Sequence, residues 1–258
     1  MGANQAVLKL MDYKEIYRTL YSDGVVCIRS AFDPKDVCLA RVLIDQVFDK
    51  FKMIDQKIAK IHASGVQEEP KNILEINYLL REKSELANTK LFRECQLLAK
   101  NIARKPMFFA FDHAIYKLPC AGKLAWHQDQ AYTSTVKNMT SLIFWLPLQD
   151  VDSTGGGMQY KLKSHLFGLL PHQSHKIANS KFASMIQDIQ QVPSIKLNVK
   201  VGDVVVHLPL TLHGSLPNQS QITRKAWSVH FCPFGRYEKY LPHNLVHFLF
   251  MTLKRVCR

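Results

Sequence analysis

The sequence predicts an α+β fold: a jelly roll (double-stranded β-helix) braced on one side by helices from the N-terminal part. Three observations predict it. Up to about residue 104 most apolar residues recur at helical spacing. From Pro106 onward they fall in short β-branched and aromatic runs separated by turns, the pattern of a double-sheet sandwich with a mouth between its sheets. The length, 258 residues, suits one domain with one sizeable core. The expected organisation is therefore a mostly helical bracing part over 1–104, a jelly-roll core over 105–235 and a C-terminal covering helix over 236–258.

Residues 12–22 read as a helix ended by Asp23-Gly24, and Gly24-Val25-Val26-Cys27-Ile28-Arg29 as a strand. Asp33-Pro34 opens a second helix, because aspartate caps free N–H groups and proline suits the first helical position. Leu39, Val42, Leu43, Val47 and Phe51 mark its apolar stripe. The helix runs on or restarts over 52–64, up to Gly65, and the polar stretch 66–70 is a loop. Residues 73–80 fit either a strand or a helix; 84–104 fit a helix with Leu86, Leu91, Leu97, Leu98 and Ile102 inward. Strands follow over 107–118, 142–148, 157–162, 195–199, 204–208 and 226–231. The apolar stretch 240–253, with His243 and His247, reads as the covering helix.

Composition narrows the function classes. With 47% apolar and 21% charged residues the chain is an ordinary globular one, and no run of eighteen apolar residues predicts a transmembrane segment. The N-terminus lacks the pattern of a secretory signal, and no peroxisomal signal is read at Val256-Cys257-Arg258. Cysteines 27, 38, 95, 120, 232 and 257 are scattered with no Cys-x-x-Cys, which suits reduced thiols in a cytoplasmic protein rather than a disulfide framework or zinc site. The net charge of +13 is spread along the chain, so it reads as a solvated basic surface and no specific nucleic-acid partner is expected.

The chemistry centres on Trp126-His127-Gln128-Asp129-Gln130. On a strand, side chains two apart share a face, so His127 and Asp129 would present an imidazole and a carboxylate together, with Gln128 turned away. One further imidazole completes a two-histidine, one-carboxylate facial triad, which holds Fe(II) on one side and leaves the other open. His213, followed by Gly214-Ser215 at the end of a strand, is the expected third ligand, with His207 the alternative. Arg224 opens the next strand and is placed to form a bidentate pair with a carboxylate. The ligand that meets both demands is 2-oxoglutarate, whose 2-oxo acid end chelates iron while its far carboxylate reaches Arg224, with a hydrogen bond from Ser215. Gly155-Gly156-Gly157 reads as a turn, since no helix follows and no Lys-Ser/Thr pair stands directly after its glycines as a phosphate loop needs.

These residues, together with Asp23-Gly24-Val25-Val26, Tyr116-Lys117, Phe144-Trp145-Leu146-Pro147-Leu148, Gly155-Gly156-Gly157-Met158, Ser164-His165, Gly202-Asp203 and Asn218, span most of the chain. In that order they resemble the phytanoyl-CoA dioxygenase family of iron- and 2-oxoglutarate-dependent oxygenases. The resemblance implies a jelly-roll core, Fe(II) held by His127, Asp129 and His213, and 2-oxoglutarate held by Arg224 with Ser215. It also brings Trp145 and His113 to the co-substrate. Leu162-Lys163-Ser164-His165 stands where the family has Pro-Gly-Ser-His, a loop expected at the substrate mouth, and Lys71 is the candidate for a further basic co-substrate contact.

The expected activity is hydroxylation of an unactivated C–H bond with dioxygen as oxidant. Asp129 argues against halogenation, since a halide needs the coordination position that the carboxylate takes. A metal-binding but catalytically silent jelly roll is the rival reading, and a nucleic-acid oxygenase a weaker one; loss of a ligand or of the arginine would favour the silent module, and neither is lost. The substrate is expected to be a small molecule, anionic or linked to coenzyme A or another carrier. Lys163, His165 and the stretch 171–191 are expected to border the mouth.

Overall fold

The structure, a computed structural model, describes residues 11–55, 58–62, 73–132, 141–177, 180–185 and 191–233. The expected covering helix and Lys71 lie outside the described residues.

Helix α1 (Tyr13–Asp23) starts at Asp12, whose carboxylate accepts the N–H groups of Lys14 and Glu15 at 3.0 Å. It stops at Gly24, which has φ 86°. A Cβ there would also lie 2.5 Å from His165 Nδ1 and 2.6 Å from Thr211 Oγ1, so glycine is required by both conformation and space. Strand β1 (Val25–Ile28) leads to helix α2 (Pro34–Phe48), capped by Asp33 as expected. Its buried face is Val37, Ala40, Ile44 and Val47, so the expected stripe holds at Val47 and at Phe51 just beyond the helix, while Leu39 and Val42 are 53% and 46% exposed. Ala40 packs in the main core with Ile44 and residues of the larger sheet.

Among the described residues of 52–64 the expected helix does not form. A 3-10 turn (Phe51–Met53) is followed by strand β2 (Ala59–His62), which pairs antiparallel with β3 (Ile73–Asn77), itself the segment left open between strand and helix. The tertiary edge of β3 overrides local propensity here. After the short helix α3 (Leu79–Glu82) and a 3-10 turn (Ser84–Asn88), helix α4 (Lys90–Ala103) begins six residues later than expected, capped by Thr89. Leu97 is on its outer face, 43% exposed.

The remaining strands are β4 (Phe108–Lys117), β5 (Leu124–His127), β6 (Leu142–Pro147), β7 (Met158–Lys161), β8 (His172–Ile177), β9 (Ser180–Met185), β10 (Ser194–Lys196), β11 (Val204–His207), β12 (His213–Ser215) and β13 (Arg224–Cys232). One sheet has the order β1-β11-β6-β13-β4-β3-β2 and a second the order β10-β7-β12-β5. β8 and β9 form a hairpin, not anticipated within 171–191, that lies beside β5 and β2.

Alternation along the strands gives the larger sheet two unlike faces. One carries Phe144, Leu146, Val206, Trp227, Val229 and Phe231, and packs with Ala40, Ile44, Leu91, Cys95 and Leu98 of α2 and α4 into the main core. The other carries Val25, Trp145, Val205 and Ala226, which pack with Met158 and Tyr160 of the second sheet. The candidate site lies between the sheets. Among the described residues no helix is long and apolar enough to cross a membrane.

Candidate metal centre

β5 and β12 are neighbours in the second sheet, and their register sets His127 opposite His213, with ring centroids 4.2 Å apart. The strand ends at His127. Asp129 opens a 3-10 turn (Asp129–Tyr132), secured by the Gln130 N–H to Pro209 O at 3.0 Å, so two-residue strand alternation is not what brings acid and imidazole together. The turn does so. Asp129 Oδ1 lies 3.8 Å from His127 Nε2 and 3.6 Å from His213 Nε2. The three ligand atoms all fall within 4.8 Å of one another, in a chain whose described residues offer no other such group.

The carbonyls behind the rings choose the tautomer. His127 Nδ1 donates to Ala125 O and His213 Nδ1 donates to Thr211 O, both at 2.9 Å, which leaves each Nε2 lone pair facing the centre. Burial, reinforced by the neighbouring His213, lowers His127 to about 3. Burial lowers His213 to about 4 even though Asp129 pulls the other way. Burial alone would raise Asp129, but His213 and His207 hold its carboxyl well below the usual range. Two neutral imidazoles and one carboxylate are the donor set of a facial triad.

His207, the alternative ligand, stands 3.2 Å from Asp129 Oδ2, the oxygen not shared with the histidine pair, and orients the carboxylate. Gln128 is turned away as expected. Its side chain donates to Gly168 O (2.8 Å) and Leu210 O (2.6 Å) and accepts from Leu170 N–H (2.8 Å), pinning two loops behind the ligands.

Arg224 lies on the inner face of β13, 2% exposed, with its guanidinium carbon 5.6 Å from the centroid of Trp145. Burial lowers it to about 10, which leaves it charged at neutral pH. Nε and Nη1 are buried without a hydrogen-bond partner. A buried cation with two unused donors is the complement of an anion. Ser215, fully buried on β12, accepts from Lys117 Nζ at 2.8 Å. Lys117 is the register partner of Arg224, and Asn218 Nδ2 donates to its carbonyl at 3.0 Å. Gly156, with φ 79°, leaves room for the Lys117 side chain, whose Cδ would stand 3.0 Å from a Cβ. His113 is level with Ser228 and Trp145 on the inner face, and its Nδ1 lies 2.9 Å from Glu75 Oε1. Burial opposes that pairing, but Glu75 raises the pKa of His113.

The loop after β7 also serves the scaffold. His165 Nε2 faces Tyr21 O at 3.1 Å and the Lys163 N–H donates to Asp23 O at 2.8 Å, so this loop fastens the end of α1. Ser164 Oγ donates to Lys161 O and accepts the Leu212 N–H, bracing the strand that carries His213. Sequence reasoning named Lys117 only as part of a family motif and missed Tyr160, because strand pairing alone brings them beside Ser215 and His213.

A triad on the second sheet and a buried arginine on the inner face of the larger one are the arrangement expected of the class of non-haem iron, 2-oxoglutarate-dependent oxygenases. The family model described as phytanoyl-CoA dioxygenase (PhyH) matches residues 20–226, and the chain belongs to that family. Over 108 residues it is 32% identical to the peroxisomal phytanoyl-CoA dioxygenase of Mus musculus, which is 41% of this chain and 32% of that protein. The match thus spans about a third of the curated relative's length. Among solved structures, EvdO2 from Micromonospora carbonacea var. aurantiaca in complex with 2-oxoglutarate has a TM-score of 0.71 at 21% identity, covering 86% of this chain and 91% of that one. The carbocyclase SnoK from nogalamycin biosynthesis has a TM-score of 0.68 at 22% identity, covering 88% and 85%. These structural likenesses are likenesses of fold.

Proposed function

We propose that this chain is an Fe(II)- and 2-oxoglutarate-dependent dioxygenase that hydroxylates an unactivated C–H bond of a small or carrier-linked molecule. In this reading His127, Asp129 and His213 hold the iron. Arg224 and Ser215 hold the distal carboxylate of 2-oxoglutarate, and Trp145 and His113 flank the co-substrate. Bound iron with 2-oxoglutarate and dioxygen supplies the oxidising power, with succinate and carbon dioxide as co-products.

The observation that carries the reading is the buried guanidinium of Arg224, with Nε and Nη1 unpartnered, on the face that looks toward the triad. A silent metal-binding module gives no reason to keep that charge. The chain's own residues orient and shield: His207 steers Asp129, the Ala125 and Thr211 carbonyls set the imidazoles, and Trp145 covers the arginine. The free cysteines among the described residues fit a reducing compartment, and we place the protein in the cytoplasm. The basic surface favours an anionic substrate or carrier.

The test is anaerobic addition of Fe(II) and then 2-oxoglutarate, which is expected to develop a visible metal-to-ligand band. Admitting oxygen is expected to give slow succinate formation without substrate. A protein that binds iron yet makes neither band nor succinate would support the silent module instead.

A further inference from the structure

Tyr160 has no role so far, although it is placed for one. Its side chain is fully buried on β7 between the two sheets, and its hydroxyl has no hydrogen-bond partner. Its ring lies 5.8 Å from that of His213, nearly parallel at 21°, and 5.3 Å from that of His207. It packs in one cluster with Trp145 and Ala226, the residues beside Arg224 on the inner face. A buried phenol left unpaired costs about 1–3 kcal/mol, so a group that bonds it only on binding is the natural explanation. A phenol keeps its proton at neutral pH, so this hydroxyl can donate.

We propose that Tyr160 is a co-substrate-binding residue that donates its O–H to the same distal carboxylate that Arg224 grips. The inference rests on the 2-oxoglutarate reading of the site and adds a residue to it. The count of donors supports it. An ionised carboxylate offers about four lone-pair sites. Arg224 has two buried donors to spare. Ser215 Oγ already accepts from Lys117 Nζ, so its remaining contribution is its proton. The Tyr160 hydroxyl is the fourth donor, and the set saturates a planar carboxylate. Lys117 thus takes part indirectly by committing Ser215 to donate.

The test is Tyr160→Phe, which removes one oxygen and keeps the ring against both histidines. 2-Oxoglutarate is titrated anaerobically into the Fe(II)-loaded wild type and variant, following the visible band. The expected result is a dissociation constant raised about tenfold, the loss of one net hydrogen bond, with iron affinity and band maximum unmoved and a melting temperature equal to or above that of the wild type. An unchanged dissociation constant would overturn the assignment. So would a displaced band maximum, which would put the phenol against the metal-bound end of the co-substrate. If the wild type itself develops no band, the 2-oxoglutarate reading fails and the role of Tyr160 falls with it; a wild-type band with an indifferent variant removes Tyr160 alone.

Discussion

The two faces of the larger sheet are made by alternate residues of the same strands, yet they hold very different chemistry. Trp227 and Ser228 are neighbours on β13, as are Phe144 and Trp145 on β6. The helix-facing members enter an apolar core with α2 and α4, while the inward members stand level with His113 across three strands. On the helix side the buried carboxylate of Asp112 is satisfied, accepting from Trp227 Nε1 at 3.0 Å and Leu80 N–H at 3.3 Å. On the inner side Arg224, Tyr160 and His207 keep buried polar atoms without hydrogen-bond partners; on the helix side the Glu94 carboxylate does too, offset by Lys90 Nζ at 3.5 Å. The dry face holds the sheet together, and that surplus allows the opposite face to carry unsatisfied groups.

Removing a ligand is the largest expected break. Asp129→Ala or His127→Ala should cut succinate formation more than about a thousandfold, since outer partners of a metal ligand alone are worth roughly 10–100-fold. Near-wild-type succinate formation in a folded variant would remove these residues from the metal set. On the opposite face, Trp227→Ala should lower unfolding free energy by about 3–5 kcal/mol, as truncating a buried aromatic does, measured by denaturant titration. Its neighbour variant Ser228→Ala should leave stability within about 1 kcal/mol, and a larger loss would erase the contrast between faces.

Arg224→Met should weaken 2-oxoglutarate binding by about 30–150-fold, the loss of roughly 2–3 kcal/mol of charge-assisted hydrogen bonding, without weakening iron binding. Because it removes a buried unpaired charge, its melting temperature should equal or exceed that of the wild type. Equal co-substrate affinity would count against the anchoring role.

Asp112 supplies the smallest effect and a pH signature for the dry face. Burial raises its pKa to about 6 from the usual 3.8, against the pull of Trp227. The folded protein therefore holds this proton more tightly than the unfolded chain does. The stabilisation is complete below about pH 4 and is lost as pH rises through about 6. Relative to Asp112→Asn, the wild type should lose on the order of 2 kcal/mol between pH 4 and 7. A parallel pH dependence in both proteins would show that Asp112 is charged throughout.

Much of this was legible in the chain. Asp33-Pro34, Gly24 and the β-rich runs after Pro106 announce their elements through local chemistry that needs no partner. His127, Asp129, His213 and Arg224 were legible as types suited to iron and a dicarboxylate. Less legible was anything chosen between equally apolar options. The inward face of α2 takes in Ala40 and leaves out Leu39 and Val42, and β2 became a strand because β3 offered an edge.

The sequence by itself determined the class of fold, the donor atoms available and the approximate order of strands, because hydrophobic period, capping and residue chemistry are local properties. Only the tertiary structure decided that Asp129 reaches its histidines through a 3-10 turn, that His165 is a strut at Gly24, and that Lys117 and Tyr160 stand beside Ser215 and His213. Those contacts join residues far apart in the chain, and strand register sets them rather than any neighbour in sequence.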